Sequence, residues 1–260
     1  KKRFGNADKN QQQADTLKTL IAPFILRRTK QTVLTELPEK TEINLTFALS
    51  EKEQALYEAT RLNALEQANQ DDSQYITILA SLTKLRRACI APQLLLENSK
   101  MPSSKLDTAE AIITELLENN HQALIFSQFV DVLKLVEQRL QKRGVDYCYL
   151  DGSMSTNKRK QQVELFQAGK APLFLISLKA GGTGLNLTAA DYVLHLDPWW
   201  NPAVEMQAID RAHRIGQKEK VTYIDFIAEK TVDEKIIKSL RNKINIATKV
   251  LGEDFKEWLI

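Results

Sequence analysis

The chain has 260 residues, 43% hydrophobic and 27% charged, with a formal net charge of +3, which is enough to bury one sizeable core and a smaller second unit. No run approaches the roughly 18 apolar residues that a bilayer span requires, and the start KKRFGNADKN lacks an apolar signal segment, so an intracellular protein without a membrane partner is expected. A charge of +3 is too slight to argue for nucleic acid by itself.

The chain opens on Lys1 in a polar, Gln-rich run, as expected of a piece continuing a longer polypeptide. Residues 1 to about 15 read as a mobile lead-in. The stretch LKTLIAPFILRRTKQTVLTELPEK then has apolar residues at helical spacing, broken near Pro23 and Pro38, and reads as short helices ending in a turn. INLTFAL alternates like a strand. Ser50 followed by Glu53 forms a capping box that opens the helix EKEQALYEATRLNALEQANQ. A second helix, YITILASLTKLRRACI, runs to Pro92, and ENSKMPSSK is a polar joint.

Beyond that joint, strands and helices alternate. A helix from about Leu106 to Glu118 precedes the apolar run ALIFS; a helix near 130–142 precedes VDYCYL; a helix near 156–168 precedes LFLIS. A Gly-rich loop, the strand YVLHL, a helix after Asn201, the strand VTYIDFI and a closing helix from about Val232 complete the series. Nearly continuous apolar strands separated by helices of ten to fifteen residues predict an α/β fold, with a parallel sheet covered on both faces. Cys89 and Cys148 stand in apolar surroundings at no metal or redox spacing, and the three histidines form no ligand cluster. Two buried thiols and no metal site are expected.

In open parallel sheets, ligands bind outside the carboxyl ends of the strands. Three loops there stand out: SQF (Ser127 to Phe129), DGS (Asp151 to Ser153) and SLKAGGTGLNLT (Ser177 to Thr188). The third could cradle phosphate through converging N–H groups at Gly181, Gly182 and Gly184, or be only a tight turn. It is no Walker A loop, because Leu185 and Asn186 follow Gly184 where that motif has Lys and a hydroxyl residue. After DPWWNP, Asn201 and Pro202 specify a helix start and Gly216 its end. On that helix Gln207, Asp210, Arg211 and Arg214 share a face opposite Ala208, Ile209 and Ala212. The residues alone leave two readings: an Asp210–Arg214 pair with arginines complementing the helix dipole, or guanidinium groups held out to an anion. Of Trp199 and Trp200, at least one ring is expected in the core and the other could meet a base or sugar. The basic clusters KLRRA (Lys84 to Ala88) and NKRK (Asn157 to Lys160) read as solvated helix faces.

In order and spacing, these segments resemble the second half of a SWI/SNF-type ATPase motor of helicase superfamily two. The resemblance runs from the PF-LRR-K stretch in LIAPFILRRTKQTVLTELPEKTE through LTKLRRACIAPQLL, SSKLDTAEAII, ALIFSQF and YLDGS to LISLKAGGTGLNLTAADYVLHLDPWWNP and QAIDRAHRIGQ, covering about residues 18 to 250. ACIAPQLL departs from the family's usual Cys-Asn-His-Pro.

The resemblance implies a RecA-like lobe with an inserted helical protrusion and a C-terminal helical brace. Residues 1–49 would be a lead-in and linker from a first lobe, 50–100 the protrusion, 101–230 the second lobe and 231–260 the brace. It further implies ATP with Mg²⁺, the metal being held by the first lobe. Arg211 and Arg214 would act as arginine fingers, with Gln207, Gly182 and Gly184 at the nucleotide. Ser127, Lys179 and Trp199 would lie along the backbone of double-stranded DNA. The implied activity is DNA translocation with remodelling of protein–DNA complexes, acting on a DNA-bound protein in the cytoplasm or nucleoid of a bacterium, or in a nucleus. The second lobe alone would be inactive. Two alternatives are a DEAD-box-type RNA helicase lobe, whose HRIG continues differently from the Gln217, Lys218 and Glu219 found here, and a non-catalytic module that docks partners through the protrusion.

Overall fold

The computed structural model describes Thr16, Leu20 and residues 38–70, 74–96, 99–180, 185–199 and 201–251, with side chains left aside at 68–78, 202–205 and 242–251. The short helices expected before Pro38, the mobile lead-in, the three loop glycines and Trp200 lie outside the described residues.

Six strands form one all-parallel sheet: β1 (Lys40–Phe47), β2 (Ala123–Ser127), β3 (Tyr147–Leu150), β4 (Leu173–Ser177), β5 (Tyr192–His195) and β6 (Val221–Ala228), in the order β1-β6-β5-β2-β4-β3. Helices precede β2, β3, β4 and β6 and return the chain to the starting edge, as parallel pairing demands, whereas β4 leads to β5 with no helix among the described residues. The helices are α1 (Glu51–Gln70), α2 (Gln74–Ile90), α3 (Ser104–Glu118), α4 (Val130–Lys142), α5 (Thr156–Gln167), α6 (Pro202–Ile209) and α7 (Val232–Leu251).

Alternate residues of the central strands supply two separate cores. Ala123, Ile125, Leu173, Leu175, Leu194 and Phe226 pack with α3 and α4 on one face. Leu124, Phe126, Phe174, Ile176, Val193 and Tyr223 pack with α5 and α6 on the other, Phe166 of α5 being fully buried. β2 and β4 are buried along their whole length, which explains their unbroken apolar sequences. The chain thus has the RecA-like α/β architecture, helices on both faces. A third cluster joins Tyr57 of α1, Leu85, Ala88 and Cys89 of α2, Ile227 of β6 and Ile236, Ile237 and Leu240 of α7.

One strand extends the sheet beyond the alternating series. The alternation in INLTFAL does make a strand, but β1 lies inside the segment read as lead-in and linker, and it pairs with β6 from Lys40↔Val221 to Phe47↔Ala228. Periodicity identifies a strand without naming its partner, here some 180 residues away. The capping box forms as expected: the Ser50 N–H donates to Glu53 Oε2 at 3.0 Å, and the Glu53 N–H donates to Ser50 Oγ at 3.4 Å. Both cysteines are free and buried, and burial raises both thiol pKa values.

Candidate functional site

Of the three loops singled out at the carboxyl edge, DGS follows the edge strand β3. Three adjacent strands, β5, β2 and β4, end side by side, β2 and β4 carrying the other two loops and β5 carrying DPWWNP. Their pairing continues past the strands, since the Leu178 N–H donates to Ser127 O at 2.9 Å and the Leu196 N–H to Phe126 O at 3.0 Å. Ser127, Lys179 and Trp199 are therefore brought onto one crest. They are presented differently. Lys179 is exposed and Trp199 is half-buried, whereas the Ser127 side chain is fully enclosed and its Oγ accepts the Phe129 N–H at 3.0 Å. The Trp199 ring packs against the α5–α6 core, which accounts for the tryptophan expected inside.

The crest is held by a buried ion pair. Arg86, 1% exposed, donates from Nη2 to Pro198 O at 2.7 Å and to Asp197 Oδ2 at 3.3 Å. The same Oδ2 accepts the Gln128 N–H at 3.2 Å. Burial pushes the Asp197 carboxyl above its ordinary range, against the opposing pull of Arg86 and His195. KLRRA is thus not a solvated face throughout: Arg86 is buried, and half-buried Arg87 pairs with Asp131.

A second grouping lies on the α5–α6 face. The helix expected to reach Gly216 stops at Ile209. After the bond from the Asp210 N–H to Met206 O at 2.8 Å, Arg211 and Ala212 bond only three residues back, and a single further four-residue bond runs from the His213 N–H to Ile209 O at 3.0 Å. Farther along, Arg211 O accepts the Leu187 N–H at 3.0 Å and Ala212 O accepts both the Arg214 N–H and the Gln217 side-chain amide at 3.1 Å, so neither carbonyl pairs with the N–H four residues on and the helix does not extend to Gly216. The His213 ring donates to Pro38 O at 2.7 Å. The chain then turns at Gly216, where φ is +98°.

The shared helical face does not survive this ending. Gln207 is exposed, Arg214 half-buried and Arg211 only 6% exposed; Ala208, Ile209 and Ala212 are buried as expected. Arg211 Nε has no hydrogen-bond partner. Its pKa is pulled down to about 10, first by burial and then by Arg214, with Arg159 adding to the effect and Asp210 opposing it. Arg214 Nη1 donates to Leu185 O at 3.4 Å, and Arg159 Nη1 to Ala180 O at 3.3 Å. These two acceptors flank residues 181–184. The fold therefore brings Arg214 and Arg159 to the residues on either side of the glycine segment, Gly182 and Gly184 themselves lying outside the described residues. Arg159 was missed in the sequence because NKRK reads as solvated; its one available signal was its place in the first turn of α5, immediately after the DGS loop.

Comparison with known proteins accords with this geometry. The model of the helicase conserved C-terminal domain matches residues 104–216, and that of the SNF2-related domain matches residues 1–94. A solved SWI2/SNF2 ATPase C-terminal domain from Sulfolobus solfataricus superposes with a TM-score of 0.67 at 28% identity, covering 85% of this chain and 93% of that one. The chain belongs to the SWI/SNF family of helicase-like ATPases. It is a second, C-terminal RecA-like lobe of that family, which sets aside the DEAD-box reading.

A Sulfolobus solfataricus SWI2/SNF2 ATPase core in complex with double-stranded DNA also matches this SWI/SNF lobe, with a TM-score of 0.69 and 30% identity over 96% of this chain and 56% of that one. A Mycoplasma pneumoniae protein described as an uncharacterized ATP-dependent helicase is 41% identical over 95% of this chain. The chain spans 24% to 28% of the length of the first curated relatives it matches. No helix among the described residues is long and apolar enough to cross a membrane.

Proposed function

We propose that this chain is the second motor lobe of a DNA-dependent ATPase that moves along double-stranded DNA and remodels protein–DNA complexes. ATP is held mainly by a first lobe. Arg211 and Arg214 approach its β- and γ-phosphates as arginine fingers, with Gln207, Gly182 and Gly184 at the nucleotide. Among the described residues no group of three His, Cys, Asp or Glu side chains could hold a metal, and the proposal leaves Mg²⁺ to acidic residues of the first lobe. By itself the chain is expected to hydrolyse no ATP above background.

The observation that carries the reading is the Arg211 guanidinium, buried, with Nε unpaired and with Arg214 and Arg159 as cationic neighbours. Taking a cation out of water costs several kcal/mol unless an anion compensates it, so this arrangement fits a protein awaiting negative charge. A phosphoryl transition state spreads such charge over equatorial oxygens, and a planar guanidinium matches it better than an ammonium. Bound phosphate adds the missing counter-charge when the lobes close.

The crest supports the DNA side of the proposal. Lys179 is free to meet a backbone phosphate, the Trp199 edge a sugar or base, and the turn at Ser127 offers main chain rather than its enclosed hydroxyl. Contacts of this kind grip the backbone and carry little sequence preference. ATP closes the lobes, hydrolysis opens them, and alternating grip advances the motor against a DNA-bound protein.

The direct test is Arg214→Ala in the full-length protein. DNA-stimulated ATPase should fall by about 10³-fold or more, with duplex affinity within roughly two-fold of wild type because backbone contacts set it. Wild-type turnover in that variant overturns the assignment.

A further inference from the structure

We infer that Arg86 is a positioning residue through which the α1–α2 hairpin sets the geometry of the DNA-facing crest, an inference that rests on the proposed DNA contact there. One guanidinium ties three parts of the molecule together. It stands on α2, whose Leu85, Ala88 and Cys89 pack with Ile236, Ile237 and Leu240 of α7. Its Nη2 reaches Pro198 O and Asp197 Oδ2 in the loop after β5, and Asp197 Oδ2 in turn holds the Gln128 N–H in the loop after β2. The guanidinium carbon lies 5.2 Å from the centre of the Phe129 ring and 5.0 Å from that of Trp199, one aromatic from each loop. Its neighbour Arg87 pairs with Asp131 in the first turn of α4, just past the loop after β2, with the Phe129 ring 5.8 Å away.

The arrangement exploits what separates arginine from every other cation. One nitrogen, Nη2, reaches two acceptors while the planar guanidinium remains close to two aromatic rings. A lysine would keep the charge and donors for Asp197 and Pro198 but lacks the planar face that meets the rings; a methionine would fill the volume but leave Asp197 uncompensated. The hairpin therefore moves with Arg86, and Arg86 carries Trp199, Phe129 and the Gln128 turn. DNA engaged at the crest and anything that shifts the hairpin are thereby linked through a side chain that contacts neither.

The test uses the full-length protein with Arg86→Lys, Arg86→Met and Arg87→Gln, measuring ATPase against duplex DNA and ATP concentration. For Arg86→Met the half-saturating DNA concentration should rise by about ten-fold, with the rate at saturating DNA and the KM for ATP close to wild type. Arg86→Lys should recover part of the loss, and Arg87→Gln should show a smaller rise of the same kind. A merely structural role would lower rate and DNA apparent affinity together, without rescue by lysine, and that result overturns the inference. Should Arg86→Met fail to fold, Arg87→Gln decides the matter: an unchanged half-saturating DNA concentration there rejects the coupling. Wild-type protein lacking DNA stimulation would overturn the proposed function and this coupling with it; normal stimulation with unaltered variants overturns the coupling alone.

Discussion

Glu53 in the first turn of α1 accepts the backbone N–H of Ser104, 51 residues away at the start of α3, at 2.9 Å. The same carboxylate accepts the Ser50 N–H and, at 2.6 Å, the Ser50 hydroxyl, as well as the Ser104 hydroxyl. One buried side chain thus satisfies the openings of two helices, one in the hairpin and one against the sheet. Glu53→Ala should destabilise the protein by roughly 1–3 kcal/mol, the cost of leaving part-buried donors unpaired at two helix starts. Glu53→Gln should lose less, and urea denaturation measures both; a neutral Glu53→Ala would show that water replaces the carboxylate.

Lys105 and Asp233 form the deepest ion pair described, 2.6 Å apart with side chains 0% and 2% exposed, and it ties α3 to α7. Asp233 Oδ2 also accepts the Ala228 N–H at 3.3 Å. Asp233→Asn leaves a buried ammonium without its counter-ion and should cost about 3–5 kcal/mol. Combining it with Lys105→Met should cost less than the sum of the single changes. A double-mutant cycle by chemical denaturation reads the difference, and simple additivity would contradict direct pairing.

Arg211 should show the opposite sign. Replacing its buried cation, whose Nε lacks a partner, by Met removes a desolvation penalty, so the folded state should gain roughly 1–3 kcal/mol, while ATPase falls by about 10³-fold. Calorimetry beside an activity assay makes the comparison. A variant that loses activity and stability together would mark Arg211 as a structural residue instead.

Cys148 supplies a pH dependence. Burial lifts its thiol pKa from 9.0 to about 11, so above pH 9.0 the unfolded chain releases a proton that the folded chain keeps. This contribution to stability is fully present below that pH and is lost as pH rises toward about 11. Wild type should therefore lose stability faster than Cys148→Ala across this window, measured by denaturant titration at fixed ionic strength. Parallel decline would indicate that the thiol ionises equally in both states.

Much of the fold was legible because its signals are local. The apolar runs of β2 and β4, the Ser50–Glu53 capping box and the Pro202 start of α6 each depend on residues within a turn or two, and each appears where expected. The end of α6 was not legible. Nothing near Ile209 announces that the chain will tighten to three-residue bonds there, or that Leu187 and Gln217 will claim the carbonyls of Arg211 and Ala212. The same holds for β1, recognisable as a strand but joined to β6 only by the finished sheet.

The candidate site divides along the same line. Sequence order and spacing determined the family and singled out Arg211, Arg214 and the loops after β2, β3 and β4, because those are properties of a linear pattern. Only the tertiary structure decided that Arg211 is buried and lacks a partner at Nε, that Ser127 turns inward, and that Arg86 and Arg159 belong to loops far from them in the chain. Burial and electrostatic neighbourhood depend on which distant segments pack together, and identical basic residues on a helix look alike until that packing is fixed.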